Sequence, residues 1–346
     1  MMLLDVLRED GGAAVELATA LYTIALERAP GVWRFLYSSW SRLPGLEALR
    51  TSWMTRRFRE TENAVRRFNP ETVLTTHPLA SAIAARMKRR GGLGARLVTA
   101  YWDWHFQPFC RFPEVDHYLV PLPRQREAFI AAGTPPSRVT VSGILVAPEF
   151  RVSMPAAEAR AQLRLPEARP VVLVLGGGRG WGLEPLARSI ARLQMPLSAV
   201  FLCGSTERRI RLEQLVAGLA KGAVEIRLLG FEANPAPYYH AADLIVSKPS
   251  GLSPAQAFAC GTPMLAVSPE PGHEEANLVE FTGCSAVLVP RPNEDPAAAI
   301  SRLLVNPAAL ASAAASARKL VEIDTEAVAL AVLAPAMAVE TAVKWG

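Results

Sequence analysis

The sequence predicts an α/β protein with two domains, each built around a parallel sheet. Its 346 residues exceed the roughly 250–300 residues at which a single core stops growing. In the C-terminal half, short runs rich in Val, Leu and Ile alternate with segments long enough for a helix, as in a parallel sheet covered on both faces. These runs are residues 171–175, 198–203, 224–228, 243–247, 263–267 and 285–289. One connecting helix shows an apolar stripe made of Leu183, Leu186, Ala187, Ile190 and Leu193.

The N-terminal half alternates in the same way, although less regularly. Three of its segments read as strand ends with helical material between them: ETVLTTHP, ARLVTAYWD and DHYLVP. The proline-containing segment ILVAPEFRVSMP, residues 144–155, separates the two halves. We therefore predict an N-terminal domain at 1–148, a C-terminal domain at 149–320 and a final helix at 321–346 that packs back on the first domain.

Cysteine spacing and hydropathy exclude several classes of protein. The four cysteines form no C-x-x-C pair, so neither a zinc site nor a disulfide framework is predicted, and a reducing cytosol is favoured. The start lacks the basic, apolar and small-residue order of a secretory signal, and the apolar stretch 327–339 contains Pro335 and is too short to span a bilayer. We expect a cytoplasmic protein that is not integral to a membrane.

Charge is concentrated near the N-terminus. Residues 34–96 hold 13 basic and four acidic side chains, which predicts an anionic partner. Aromatic residues alternate with arginines there, as on a surface that lies against anionic headgroups. The membrane-facing candidates are Trp33, Trp40, Trp53, Arg56, Arg57 and Arg59. An ordinary helix pair with an aromatic core explains the same pattern, whereas nucleic acid is disfavoured because no reader motif accompanies the charge.

Two turns at predicted strand ends favour a nucleotide diphosphate. PVVLVLGGGRGWG brings Gly176, Gly177 and Gly178 to the end of a strand, where backbone N–H groups can approach a phosphate. The turn after the 243–247 strand opens a helix, whose partial positive end attracts anions. That turn contains Ser250, Gly251, Leu252 and Ser253. Ligands of open parallel sheets bind at these carboxyl ends.

Other nucleotide-binding patterns are absent from the sequence. Trp181 stands where G-x-G-x-x-G requires a glycine, and no G-K-[ST] or D-x-D pattern is present. Dinucleotide, kinase and ATPase chemistry are therefore not expected, and neither a metal nor a cofactor is predicted. One further polar turn follows the 263–267 strand, where His273 and Glu274 are adjacent and Asn277 shares the helical face of His273.

These residues resemble a known family. The run GFEANPAPYYHAADLIVSKPSGLSPAQAFACGTPMLAVSPEPGHEEANLVEFTGCSAVLV, with LGGGRGWG and FLCG before it, is similar to the C-terminal domain of monogalactosyldiacylglycerol synthases and processive diacylglycerol glycosyltransferases. Their inverting GT-B architecture, two Rossmann-like domains facing across a cleft, is shared with the peptidoglycan N-acetylglucosaminyl transferase. TTHPLASAI and VTAYWDWHFQPFCRFPEVDHYLVP resemble segments of the N-terminal domain.

The resemblance implies roles for individual residues. Gly176 to Gly178 and Ser253 would contact the diphosphate of a UDP-sugar, and Phe231 would pack on uracil. His273 and Glu274 would hold the hexose hydroxyls, with Asn277 supporting them. Gln256 stands where the family has a glutamate for the ribose. The family also begins with a strand and a GGGH loop, and the chain starts after them, so the N-terminal domain is expected to lack both.

The expected reaction is transfer of a hexose from UDP to a lipid hydroxyl, with inversion. The attacking hydroxyl needs a base, and Asp103, at a strand end in YWDWH, is the candidate. The structural alternative is that Asp103 caps a helix or pairs with an arginine. His105 and His77 are lesser candidates for the base. We expect a peripheral enzyme on the inner face of the cell membrane with a diacylglycerol-like acceptor. The alternatives are UDP-N-acetylglucosamine with a polyprenyl or other lipid acceptor, and a non-catalytic nucleotide-sugar-binding protein.

Overall fold

The computed structural model describes residues 1–10, 12, 24, 28–40, 58–177, 182–219 and 223–334. Two parallel sheets form the frame of this part of the chain. The N-terminal sheet has four strands in the order β1-β2-β3-β4: β1 Thr72–Thr75, β2 Arg96–Ala100, β3 His117–Val120 and β4 Val139–Val141. Its helices are α1 Val6–Glu9, α2 Pro30–Trp40, α3 Arg59–Phe68, α4 Pro78–Arg89 and α5 Pro123–Ala131.

The C-terminal sheet has five strands in the order β7-β6-β5-β8-β9. They are β5 Val171–Leu175, β6 Leu197–Leu202, β7 Val224–Leu229, β8 Leu244–Ser247 and β9 Met264–Ala266. The helices are α6 Ala156–Leu163, α7 Leu183–Ala191, α8 Thr206–Ala217, α9 Ala236–Ala241, α10 Leu252–Cys260, α11 His273–Gly283, α12 Pro296–Leu304, α13 Pro307–Arg318 and α14 Thr325–Leu333. The predicted α/β class with parallel sheets is confirmed.

The strand order creates a crevice in the C-terminal domain. The chain runs outward from β5 to β7 and then returns to the other side of β5 with β8 and β9. Strands β5 and β8 are therefore neighbours that lead to helices on different sides, which is the topological position where such sheets bind ligands. Both strands are fully buried, so the first polar groups beyond them lie at the mouth of the crevice.

One predicted strand differs from the structure. Residues 285–289 were expected to add a sixth strand, but they pair with the sheet through a single bridge between Leu265 and Leu288. Ser285 has a left-handed backbone with φ of 54°, which breaks an extended run. The predicted helix after β5 is confirmed, and its apolar stripe, including Leu183, Leu186 and Ile190, is buried.

The two domains are joined by direct packing. Trp104, in the loop after β2, is fully buried in the core of the C-terminal domain, edge-on to Phe258 and Phe281. At the other end of the chain, α14 places Ala329 in a small core with Val98 and Leu119 of the N-terminal sheet. The cleft between the domains is therefore bridged by side chains from both.

No single helix in the described ranges is long and apolar enough to cross a bilayer; α12 and α13 together have the length and composition, with a bend of 99° between them.

Candidate functional site

The glycine turn after β5 lies at the mouth of the crevice. The N–H of Gly176 donates to the carbonyl of Leu202 at 3.1 Å, so this group already has a partner. Gly177 is exposed and has φ of 58°, a conformation that favours glycine. Gly178 lies outside the described residues. The backbone around Gly177 is thus the described part of this turn that a phosphate can reach.

A buried lysine lies directly beside this turn. Lys248 follows β8 and is 8% exposed, and a Cβ added to Gly177 would lie 3.7 Å from its Cε. Its Nζ forms ion pairs with Glu270 and, at 3.3 Å, with Oε1 of Glu274. Burial raises the pKa of Glu274, while the lysine opposes that rise. The crevice therefore holds a buried cluster of one cation and two carboxylates.

Sequence reasoning missed Lys248 and Glu270. The signal was a lysine immediately after a strand of buried apolar residues, where a charge is costly unless it is paired. In the described part of the chain, Glu270, His273 and Glu274 also have ligand atoms within 4.8 Å of one another, as a metal site would. Lys248 pairs with both carboxylates of this group and supplies one positive charge between them.

The helices α10 and α11 begin at glycines that touch the N-terminal domain. Gly251, the N-cap of α10, is covered by Trp102: an added Cβ would lie 2.4 Å from that ring. Gly272, the N-cap of α11, has φ of 94°, and an added Cβ would lie 2.9 Å from the ring of Tyr37. Close packing against Trp102 and Tyr37 therefore requires glycine at both positions.

The other residues predicted to bind nucleotide surround this crevice. Ser250 and Ser253 are half-buried and Leu252 is exposed at the start of α10. Gln256 accepts a hydrogen bond from the buried hydroxyl of Tyr239 at 2.8 Å. Phe231 follows β7 and is 79% exposed, so its ring is available for stacking. Their roles toward UDP stay predictions.

Asp103 lies in a buried network that joins the domains. It is 3% exposed. Its Oδ2 accepts from Nε2 of Gln107 at 2.5 Å, and its Oδ1 accepts from Nδ2 of Asn277 at 2.6 Å. Both carboxylate oxygens therefore have amide donors, one from each domain. Each carboxylate oxygen can accept two hydrogen bonds, so these contacts do not prevent Asp103 from accepting a proton; its role as the base stays a prediction.

Both polar atoms of the Asn277 side chain form hydrogen bonds within this network. Besides Asp103, its Nδ2 donates to the carbonyl of Pro249 at 3.1 Å, and its Oδ1 accepts from the backbone N–H of Trp104 at 3.1 Å. The residue is fully buried. A direct contact between Asn277 and the hexose would require the domains to part. His273 is half-buried, and its Nε2 lies 3.9 Å from Oε1 of Glu274, a member of the buried cluster in the crevice.

The membrane-facing candidates are only partly described. Trp53, Arg56 and Arg57 lie outside the described residues, and so does the side chain of Trp40. Trp33 is half-buried on α2 and Arg59 is exposed on α3. Arg59 also lines a polar cavity of about 620 Å³, together with Glu62, Asn63, Arg66, Arg86 and Arg90. Four arginines around one glutamate leave this cavity with a net positive charge.

Two family models match separate parts of the chain. Residues 1–146 match the family "Monogalactosyldiacylglycerol (MGDG) synthase", and residues 169–306 match "Glycosyl transferases group 1". The processive diacylglycerol beta-glucosyltransferase of Bacillus subtilis is 24% identical over 239 residues, covering 68% of this chain and 61% of the relative. That of Staphylococcus epidermidis is 23% identical over 214 residues, covering 61% of this chain and 54% of the relative. The chain thus spans about three fifths of the length of the first curated relatives it matches.

Solved structures share the fold. MurG of Acinetobacter baumannii superimposes with a TM-score of 0.56 at 16% identity, covering 81% of this chain and 79% of the other. HepE of Anabaena, crystallised with UDP-glucose, gives a TM-score of 0.55 at 18% identity, covering 79% of this chain and 82% of the other. The predicted GT-B fold and the sequence resemblance are both confirmed. The chain therefore combines, on a GT-B fold, a segment that matches the monogalactosyldiacylglycerol synthase family with a segment that matches the group 1 glycosyl transferases.

Proposed function

We propose that this protein transfers a hexose from a UDP-sugar to diacylglycerol or a similar lipid. The observation that carries the proposal is the crevice between β5 and β8, where an exposed glycine turn, a lysine and the start of α10 converge. Such a set of groups suits a diphosphate. The relatives named for diacylglycerol glucosyl transfer, and the fold shared with a UDP-glucose complex, support the donor and acceptor classes.

The proposed chemistry needs three functions from the chain. The N-terminus of α10 and the backbone at Gly177 stabilise the negative charge that develops on the departing UDP, so the mechanism uses neither a metal nor a cofactor. His273 and Glu274 at the start of α11 orient the hexose by hydrogen bonds. A base from the loop after β2, where Asp103 is the predicted candidate, takes the proton of the lipid hydroxyl.

Transfer can be measured with diacylglycerol vesicles and separately labelled UDP-glucose, UDP-galactose and UDP-N-acetylglucosamine. We expect a labelled glycolipid from a hexose donor, and UDP binding by calorimetry that weakens when Gly177 or Ser253 is replaced by leucine, because the bulky side chain would occupy phosphate space. The variant Val305→Leu, at the exposed C-cap residue of α12, serves as the control. Binding of ATP or NAD as tight as that of UDP would contradict the uridine assignment, and UDP binding without transfer to any lipid would favour the non-catalytic alternative.

We further propose that the protein is cytoplasmic and docks on the inner face of the cell membrane through its basic N-terminal region. The arginine-lined cavity formed by α3 and the end of α4 supports this, because its side chains hold more positive than negative charge. Each basic residue near an anionic surface contributes roughly 1 kcal/mol, so several acting together can retain the protein there at modest salt.

Replacing Arg59, Arg66 and Arg90 together by glutamine should weaken binding to vesicles rich in anionic lipid. Co-sedimentation of the parent should fall as salt rises, because the attraction is screened, and the triple variant should show a weaker salt dependence. Its affinity for UDP should match that of the parent, since the crevice lies in the other domain. Replacing Arg188, Arg209 and Arg211 of the C-terminal domain by glutamine removes the same charge elsewhere and is the matched control. Equal co-sedimentation of both variants and the parent would show that this region is an ordinary solvated surface.

A further inference from the structure

The hydrogen bonds at the domain interface determine which nitrogen of His105 carries a proton. Nδ2 of Asn277 faces Oδ1 of Asp103 at 2.6 Å and the carbonyl of Pro249 at 3.1 Å, which are both acceptors. The orientation of the amide follows, and Oδ1 of Asn277 must be its acceptor end. That oxygen lies 2.9 Å from Nδ1 of His105. Nδ1 is therefore the protonated nitrogen, and it donates to Asn277.

The other ring nitrogen of His105 is consequently an acceptor. In the neutral imidazole only one nitrogen carries hydrogen, so Nε2 has a free lone pair. Nε2 lies 3.0 Å from the hydroxyl of Tyr37, which must donate to it. Buried His105 thus presents its acceptor nitrogen to a hydroxyl group, whereas both oxygens of Asp103 accept from amide donors.

We propose that His105 is the proton acceptor of the transfer reaction and that the Tyr37 hydroxyl occupies the place of the acceptor hydroxyl when no lipid is bound. This inference rests on the proposed function. The lipid O–H bond breaks with its proton moving to Nε2, the oxygen forms the new bond to the anomeric carbon, and the bond from that carbon to the diphosphate breaks with its electron pair leaving on UDP. The imidazolium then returns its proton to water.

The position of His105 fits this role. Tyr37 packs on Gly272, the residue before α11, and Asn277 lies one helical turn after His273. The imidazole is therefore within about one turn of the residues predicted to hold the hexose. Asp103 is a charged group near the imidazole, with its Oδ1 4.0 Å from Nδ1 of His105. The hydroxyl of Tyr101 donates to the backbone carbonyl of His105.

The carboxylate of Asp103 faces the positive charge that develops on the ring as the proton is transferred, and opposite charges at this distance attract. On α11 and α2, Glu275 and Arg34 pair with each other, and Glu274 pairs with Lys248. Each of these charged groups therefore has a partner of opposite sign. Asp103 acts in this scheme as a positioning residue that works through Asn277 and His105.

The lipid can reach His105 only if α2 moves. Apart from Tyr37, α2 is tied to α11 by the ion pair of Arg34 with Glu275, in which Arg34 is 57% exposed. Exposed pairs contribute little, typically below about 1 kcal/mol. Displacing Tyr37 breaks, among other contacts, its hydrogen bond to His105 and its edge-on packing against Phe109, and binding of a lipid must offset that loss.

The test is the variant His105→Asn, since its amide nitrogen can replace Nδ1 as the donor to Asn277 while Nε2 is lost. We expect turnover to fall by ~10²-fold or more, with UDP affinity within threefold of the parent and an unchanged melting temperature. His117→Gln, at a half-buried histidine of β3 whose Nε2 meets Thr140, is the control. Tyr37→Phe should lower the KM for the lipid, because no internal hydroxyl then competes for Nε2.

Two outcomes would overturn the inference while leaving the proposed function intact. The first is transfer by His105→Asn at a rate within threefold of the parent. The second needs no activity: nitrogen NMR of the ¹⁵N-histidine-labelled protein should show His105 protonated at Nδ1 in its neutral form, and protonation at Nε2 would contradict the assignment. Failure of the parent itself to bind UDP or transfer hexose would instead overturn the proposed function, and with it the role of His105.

Discussion

Replacing Lys248 by methionine should lower the free energy of unfolding by roughly 3–5 kcal/mol at neutral pH, the usual cost of removing one partner from a buried ion pair. The lysine is the cation between Glu270, which is fully buried, and Glu274, which is 2% exposed. Without it, two carboxylates would remain in the interior with no positive charge between them. Denaturant unfolding of the parent and the variant measures the difference.

The loss should depend on pH in a defined direction. Burial already raises the pKa of Glu274 above its ordinary value, and removing the lysine raises it further. An acid whose pKa is higher in the folded state takes up a proton on folding, so stability falls as pH rises through that range. The deficit of Lys248→Met should therefore be smaller at pH 5 than at pH 8.

A matched control separates the buried pair from an exposed one. Arg209→Met removes the cation of an exposed pair with Glu213 on α8 and should cost less than about 0.5 kcal/mol. Adding Glu270→Leu to Lys248→Met should recover part of the loss, because replacing both members by apolar residues is often neutral. A deficit below 1 kcal/mol for Lys248→Met at pH 8 would show that the cluster is solvated.

Replacing Asp103 by asparagine should cut turnover by ~10²-fold or more while leaving the affinity for UDP nearly intact. The reason is the charge of the carboxylate: as the base itself, or as the anion 4.0 Å from His105, it favours proton removal from the acceptor. Steady-state transfer with vesicles and calorimetry with UDP measure the two quantities.

Asp103→Asn also disturbs the hydrogen bonds between the two domains, and this structural effect must be separated from the loss of charge. An asparagine would turn a donor toward the amide of Gln107 or that of Asn277, leaving one contact unmade at a cost of about 1–3 kcal/mol. Gln107→Ala removes one of these donors and keeps the charge of Asp103. If Gln107→Ala loses as much turnover as Asp103→Asn, the network geometry matters and the charge does not.

Several features of the fold could be predicted from local sequence. The alternation of apolar runs with helical segments predicted the parallel sheets, and the first five runs of the C-terminal half became β5 to β9. Strand β4, Val139–Val141, was missed because it holds only two apolar residues and no longer apolar run marks it. The glycine and serine turns were recognised because strand ends and helix starts are visible in residue type and spacing.

The candidate site depends on contacts that local patterns do not contain. Asp103 and Asn277 are 174 positions apart, and Lys248 meets Glu270 across the ends of two strands. Nothing in the spacing of Trp104 indicated that it would fill the core of the other domain. Such pairs form because the domains pack together and bury these groups.

The sequence by itself therefore determined the fold class, the positions of the phosphate-type turns and the family resemblance, because periodicity, turn residues and motifs are local properties of the chain. Only the tertiary structure decided that both oxygens of Asp103 accept from amides, that His105 presents Nε2 to a hydroxyl, and that one lysine pairs with two buried carboxylates in the crevice. The physical reason is that hydrogen-bond partners, burial and the proton position on an imidazole depend on groups brought together from distant parts of the chain.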